Sequence, residues 1–175
     1  MYKIDLTNNT ILITGVAGFV VANLVRKLLR TVYPARFVGL NNCNDYYDVL
    51  LKEYRLAEVE RLSAKHPDSK WTFIKGNIAD KALIERVFAE YKPDIVINLV
   101  AQLGVRYSIT NPDAYIESNL IGFYQILESC RNYPVEHLVY ASSSSMYSTN
   151  KKVPYSTEGT VIIKQKYNRK RASEK

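Results

Sequence analysis

Short apolar segments alternate along the chain with longer stretches of helical period. The short segments are rich in branched and aromatic residues and carry almost no internal charge, as is typical of parallel strands that are covered on both faces. Strands that alternate with helices in this way predict an α/β fold. Five strands are predicted, at Ile11–Thr14, Arg36–Leu40, Trp71–Lys75, Asp94–Val100 and His137–Ala141.

Four crossover helices are predicted between these strands. The first has an apolar face of Val20, Leu24, Val25 and Leu28, the second runs roughly from Tyr47 to Leu62, the third follows an N-cap at Asp80 and has Leu83, Val87 and Phe88 on its apolar face, and the fourth runs from about Ala114 to Arg131. Right-handed crossovers then predict a Rossmann-type, doubly wound parallel sheet in the order 3-2-1-4-5, between two layers of helices.

The segment ITGVAGFVVANLV, residues 13–25, joins the first strand to the first helix through Gly15 and Gly18. Backbone N–H groups in such a turn, together with the helix N-terminus, can hold a pyrophosphate. A third small residue usually lets the helix pack close to the sheet, and Val21 stands there instead. Overpacking at Val21 is expected to cost about 1–3 kcal/mol unless the helix shifts outward. A structural tight turn without a ligand is the alternative interpretation.

Composition narrows the class of protein. The 175 residues can form one sizeable core, and the net charge of +7 is concentrated in the last twelve residues. Cys43 and Cys130 have neither metal-ligand nor CxxC spacing, so neither a metal site nor a disulfide is predicted. Without a signal segment or a membrane-length apolar run, we expect a cytoplasmic protein with no membrane partner. Nucleic acid is not expected as a partner, because no aromatic platform accompanies the basic tail.

Four segments carry a resemblance to a known family: ILITGVAGFVVANLVRKLL, NDYYDVLLKEYRLAEVERL, INLVAQLGVRYSITNPDAYIESNLIGFYQILESCR and HLVYASSSSMYS. They resemble the extended short-chain dehydrogenase/reductases, within them the NAD-dependent epimerase/dehydratases and in particular the UDP-glucuronate 4-epimerase group. The resemblance covers about Tyr2 to Glu158. It implies an isomerase of polysaccharide biosynthesis that binds NAD across the strand ends and inverts C4 of a nucleotide-linked sugar by removing and returning a hydride.

The resemblance assigns catalysis to Ser143, Tyr167 and Lys170. The tyrosine would take and return the proton of the sugar hydroxyl, the lysine would favour the tyrosinate and hold the nicotinamide ribose, and the serine would bind the sugar oxygen. The family pattern is YxxxK, whereas Tyr167 is followed by Lys170 at three residues and by Arg171 at four. We favour Lys170 with one residue missing over Arg171 in the place of the lysine. The alternatives are a solvated basic tail and, at Ser143, an ordinary polar loop.

The resemblance also places cofactor contacts at the predicted strand ends, on Gly15, Ala17, Gly18, Phe19, Val20, Asn41, Asn44, Asn77, Ile78, Leu99 and Ala101. Asn41 stands where the family has an aspartate that accepts the ribose hydroxyls, and an amide accepts less strongly than a carboxylate. Asn77 stands where an aspartate accepts the adenine amino group, and its amide oxygen could still do so. Ser148 replaces a glycine near the sugar. We therefore expect weakened NAD binding, with NADP as a second cofactor to test.

The predicted organisation is an NAD-binding Rossmann-like domain at residues 1–158 and a basic tail at 159–175, which is either disordered or the start of a degenerate catalytic helix. The sheet is expected to be truncated at about five strands, with no substrate domain, and the chain alone to be inactive. The implied partner is a nucleotide-sugar substrate. Arg106 could bind a phosphate or carboxylate of this substrate. Asn119 is expected to order the active-site loop. An exposed fifth strand would invite self-association. Two functions remain open: the cofactor part of a nucleotide-sugar epimerase, and a non-catalytic dinucleotide-binding or interaction remnant.

Overall fold

The computed structural model describes residues 4–142, which contain one parallel sheet. Its strands are β1 (Thr10–Thr14), β2 (Ala35–Asn41), β3 (Ser69–Lys75), β4 (Ile95–Asn98) and β5 (His137–Tyr140). They lie in the order β3-β2-β1-β4-β5, and all four pairings are parallel. The predicted Rossmann-type fold and strand order are confirmed.

Seven helical segments lie among the described residues. They are α1 (Phe19–Thr31), α2 (Val49–Ser63), α3 (Lys81–Tyr91), α4 (Val105–Thr110), α5 (Pro112–Tyr115), a π-helix (Ile116–Gly122) and α6 (Phe123–Asn132). Asp80 caps α3 as predicted, since its side chain accepts the N–H of Leu83 at 3.0 Å. Asp48 caps α2 in the same way through the N–H of Leu50 at 2.9 Å.

Two hydrophobic clusters lie on opposite faces of the sheet, because successive strand residues point to opposite sides. Ile11 and Ile13 of β1 belong to the cluster that packs on α1 and α2, whereas Leu12 belongs to the one with α3 and α6. All three side chains are at most 1% exposed. The helices therefore cover both faces, and the carboxyl ends of the strands meet along one edge of the sheet.

The structure corrects three element predictions. The fourth strand ends at Asn98 rather than Val100, because the next two amides turn towards the side chain of Thr14. The single helix predicted from Ala114 to Arg131 is divided into α5, the π-helix and α6. Val20 is 68% exposed instead of lying on the core face, since the buried stripe of α1 starts one residue later, at Val21.

Val21 itself is 4% exposed and lies in the cluster between α1 and the sheet. The described residues up to Tyr140 belong to one compact unit. The predicted boundary between residues 158 and 159 stays a prediction. Within residues 4–142, no helix is both long and apolar enough to cross a membrane. Cys43 and Cys130 are free thiols.

Candidate dinucleotide-binding site

The turn after β1 is built around two glycines. Gly15 has φ +80°, and a Cβ there would lie 3.2 Å from Cγ2 of Val100, so glycine suits the position on both counts. Its N–H donates to the Leu40 carbonyl at 2.8 Å, and the Gly18 N–H donates to the Gly15 carbonyl at the same distance. The chain is thereby folded back on the end of β1, and α1 begins directly behind it.

The N-terminus of α1 carries no competing anion. Gly18 precedes the helix, no side chain within residues 4–142 caps it, and its first turn contains no acidic residue. The first amides of a helix lack intrahelical acceptors and attract negative charge. A Cβ on Gly18 would lie 3.0 Å from the Gly15 carbonyl oxygen, so glycine suits this position of the turn as well. The free amides and the lack of acidic side chains in the first turn suit a pyrophosphate.

Arg55 of α2 reaches this turn from the side. Its Nη1 donates to the Ala17 carbonyl at 3.1 Å, and its guanidinium lies 5.8 Å from the centre of the Phe19 ring. Phe19 and Val20 are both exposed, and they line a groove of about 630 Å³ formed by residues of α1 and α2. The guanidinium places a permanent positive charge beside the turn from Gly15 to Gly18.

Lys52, three residues before Arg55 on the same helix, holds the loop after β2. Its Nζ donates to the backbone carbonyl of Asn44 and, at 2.8 Å, to the Asn44 side-chain oxygen. The side chain is almost completely buried, and this burial lowers the pKa of the Lys52 ammonium. Residues Lys52 and Arg55 were not predicted as site residues. The sequence did carry one signal for them, because residues three apart lie on the same face of a helix, and Asp48 marks where this helix begins.

The end of β2 carries Asn41. Its side-chain oxygen accepts the N–H of Cys43 at 2.8 Å and closes the turn that follows the strand. The Asn41 side chain therefore offers its N–H groups as donors, where a carboxylate would offer only acceptors. Lys75 is the register partner of Asn41 on the neighbouring strand.

The end of β3 carries Asn77 and Ile78. The Asn77 oxygen accepts the N–H of Ala79 at 3.0 Å, and its amide nitrogen donates to Oε1 of Glu117 at 2.8 Å. The amide oxygen predicted to bind adenine therefore already accepts one hydrogen bond. Glu117 lies 40 residues further along the chain and was not predicted as a site residue.

A buried hydroxyl ties β1 to β4. The Thr14 hydroxyl donates to the Asn98 side-chain oxygen at 2.7 Å. The same hydroxyl oxygen accepts the N–H groups of Leu99 and Val100 at 3.2 and 3.4 Å. Both Thr14 and Asn98 are buried. This contact fixes where the chain leaves the sheet, and so it positions Leu99 and Val100.

The segment between β4 and α4 is held from several sides. The side-chain oxygen of Asn119 accepts the Gln102 N–H at 2.7 Å, and its amide nitrogen donates to the Gln102 carbonyl at 3.0 Å. Both bonds fit the predicted role of Asn119 in ordering this loop. The hydroxyls of Tyr46 and Tyr115 both donate to the Leu103 carbonyl at 2.7 Å. Arg106 follows on the exposed side of α4 and has no ion pair within the described residues.

The predicted cofactor residues thus come together along the carboxyl ends of β1 to β4. The predicted catalytic residues Ser143, Tyr167 and Lys170, and also Ser148, lie outside the described residues. A parallel sheet with a glycine turn at the first strand and free helical amides behind it defines a Rossmann fold of the dinucleotide-binding type.

The sequence profile of the family described as GDP-mannose 4,6 dehydratase matches residues 12–166. The chain belongs to this family of NAD-dependent nucleotide-sugar epimerases and dehydratases, which confirms the resemblance. It is 42% identical to Protein CapI of Staphylococcus aureus over 151 residues, which are 86% of this chain and 42% of that protein. It is 42% identical to UDP-glucuronate 4-epimerase 4 of Arabidopsis thaliana over 153 residues, 86% of this chain and 33% of that one.

Among solved structures, the fold resembles UDP-glucose 4-epimerase from Bifidobacterium longum in complex with NAD+ and UDP. The TM-score is 0.69 at 28% identity, over 87% of this chain and 42% of that chain. The chain therefore spans less than half the length of these relatives.

Proposed function

We propose that this chain binds NAD as the cofactor-binding part of a nucleotide-sugar 4-epimerase of the UDP-glucuronate 4-epimerase type. The observation that carries the proposal is the turn from Gly15 to Gly18, which opens onto the uncapped N-terminus of α1. The likeness to UDP-glucuronate 4-epimerases and to epimerases solved with NAD supports the same function. When bound, the dinucleotide supplies the acceptor and donor of the hydride.

The residues present divide the work of binding. The free amides of the first turn of α1 bind the pyrophosphate, and Arg55 neutralises part of its charge. The end of β2 binds the adenosine ribose. Because Asn41 offers a donor and no negative charge, the site lacks the repulsion that a carboxylate exerts on a 2′-phosphate, so NADP is a second cofactor.

The substrate we propose is a UDP-linked hexuronate, in a cytoplasmic reaction that supplies polysaccharide synthesis. Arg106 has the charge to bind its phosphate or carboxylate. Tyr167 would hold the proton of the sugar hydroxyl, with Lys170 beside it and Ser143 on the sugar oxygen. These three roles rest on the family pattern, as does the organisation into residues 1–158 and 159–175. Within the described residues β5 is an outer strand of the sheet, with Val139 and Tyr140 exposed.

Titration calorimetry with NAD tests the cofactor site. We expect saturable binding by the chain, and a loss of at least about tenfold in affinity for Arg55→Gln, since hydrogen bonds to a charged group are worth about 1.5–3 kcal/mol. Arg61→Gln is the matched control, because Arg61 lies on the same helix and pairs with Glu58 at 3.0 Å. Equal affinities of the two variants would refute the role of Arg55. An absence of heat with both NAD and NADP would leave the non-catalytic alternative.

A further inference from the structure

The side chain of Asn77 is engaged at both ends. Its oxygen closes the turn after β3 through the Ala79 N–H, while its nitrogen donates to the carboxylate of Glu117 at 2.8 Å. An amide whose oxygen is used in this way presents mainly donors to its surroundings. Asn77 therefore holds a carboxylate at the end of β3.

The π-helix that carries Glu117 is fixed against the same turn at a second point. A Cβ on Gly122 would lie 2.5 Å from two carbons of the Ile78 side chain, so the helix backbone sits directly on this residue. Ile78 is 2% exposed, whereas Glu117 is exposed. The packing at Gly122 and the hydrogen bond at Asn77 together hold Glu117 beside the end of β3, with one carboxylate oxygen left for another donor.

The position of a bound base follows from the sheet order. The pyrophosphate binds at the start of α1 behind β1, and the adenosine ribose binds at the end of β2. The base of the same nucleotide then extends to the next strand of this half of the sheet, which is β3. Asn77 and Ile78 follow that strand after a single residue, Gly76.

We infer that Glu117 accepts a hydrogen bond from the 6-amino group of the adenine and that Asn77 positions it. This inference rests on the proposed binding of NAD at the strand ends. An exocyclic amine donates, so the donor nitrogen of Asn77 is mismatched to it, whereas a carboxylate accepts strongly. The pair Asn77–Glu117 thus makes the site selective for 6-aminopurine dinucleotides over 6-oxopurine ones.

Titration calorimetry with NAD and nicotinamide hypoxanthine dinucleotide tests this selectivity. The second ligand differs by an oxygen in place of the amine, which a carboxylate repels. We expect the chain to bind NAD at least about tenfold more tightly, the effect of one charge-assisted hydrogen bond. Glu117→Ala should reduce the ratio of the two dissociation constants to within about twofold, and Glu117→Gln should leave an intermediate ratio, because its amide can still offer an oxygen.

Asn77→Ala should lower the ratio in part, since the carboxylate remains but loses its positioning partner. Glu128→Ala is the matched control, a partly exposed glutamate of α6 that pairs with Arg131, and it should keep the full ratio. A ratio retained in Glu117→Ala overturns the assignment, even if both affinities fall. Binding of NAD without any preference in the unmodified chain overturns it as well, whereas an absence of binding by either dinucleotide overturns the cofactor site itself.

Discussion

Replacing Thr14 by valine removes one buried hydroxyl while nearly keeping the shape of the side chain. The hydroxyl serves Asn98, which is 84 residues away, and the amides of Leu99 and Val100. Thr14 is 0% and Asn98 4% exposed, so water cannot easily replace the lost bonds. A buried polar group left without its partner costs about 1–3 kcal/mol.

The oxygen of Asn98 loses its donor outright, and the two amide bonds at 3.2 and 3.4 Å are the weaker ones. We therefore expect Thr14→Val to lower the free energy of unfolding by about 2–4 kcal/mol. In the double variant with Asn98→Leu, the unpartnered oxygen is also removed. The loss of unfolding free energy in the double variant should be about 1 kcal/mol smaller than the sum of the losses in the two single variants.

Urea unfolding followed by circular dichroism measures these differences, provided that the slope of the transition is unchanged. Thr31→Val is the control, since Thr31 is exposed on α1, and it should alter stability by no more than about 0.5 kcal/mol. A loss below 1 kcal/mol for Thr14→Val, or strict additivity in the double variant, would refute the reasoning.

Three further outcomes are expected. Asn41→Asp should shift the ratio of NAD to NADP affinity towards NAD by about tenfold or more in calorimetry, because the new carboxylate repels a 2′-phosphate; an unchanged ratio would contradict the assignment of the ribose site. Burial raises the pKa of the Cys130 thiol to about 11 and also raises that of Cys43. At pH 8, alkylation of Cys130 followed by mass spectrometry should therefore be on the order of a hundredfold slower in the folded chain than in urea, and equal rates would rule this out. The 175 residues alone, with added NAD, should not convert UDP-glucuronate to UDP-galacturonate at an ordinary enzymatic rate, and turnover that Tyr167→Phe abolishes would show this expectation to be wrong.

The strands and the glycine turn were predictable because their signals are local. Buried parallel strands appear as short apolar segments, and Gly15 and Gly18 stand at a fixed distance behind the first of them. The N-cap at Asp80 is equally local. The extent of the fourth strand was not predictable, because the hydroxyl that draws Leu99 away from the sheet belongs to β1.

The parts that sequence reasoning missed depend on contacts between distant residues. Apolar periodicity cannot distinguish an α-helix from a π-helix, so the π-helical segment around Glu117 was predicted as part of one long α-helix. The bond from Asn77 to Glu117 joins residues 40 positions apart, and neither residue type alone indicates it. Arg55 had a local signal, but only the fold brings it to Ala17.

The central position of β1 has a consequence for how the protein is made. β1 is synthesised first, and β2 can pair with it early, but its other neighbour, β4, pairs Ile11 with Ile95. A ribosome that adds about 5–20 residues per second needs roughly 4–17 s to span that interval. Throughout this time the edge of β1 that will pair with β4 is open to other chains, because β2 covers only the opposite edge and α1 covers only one face of the strand.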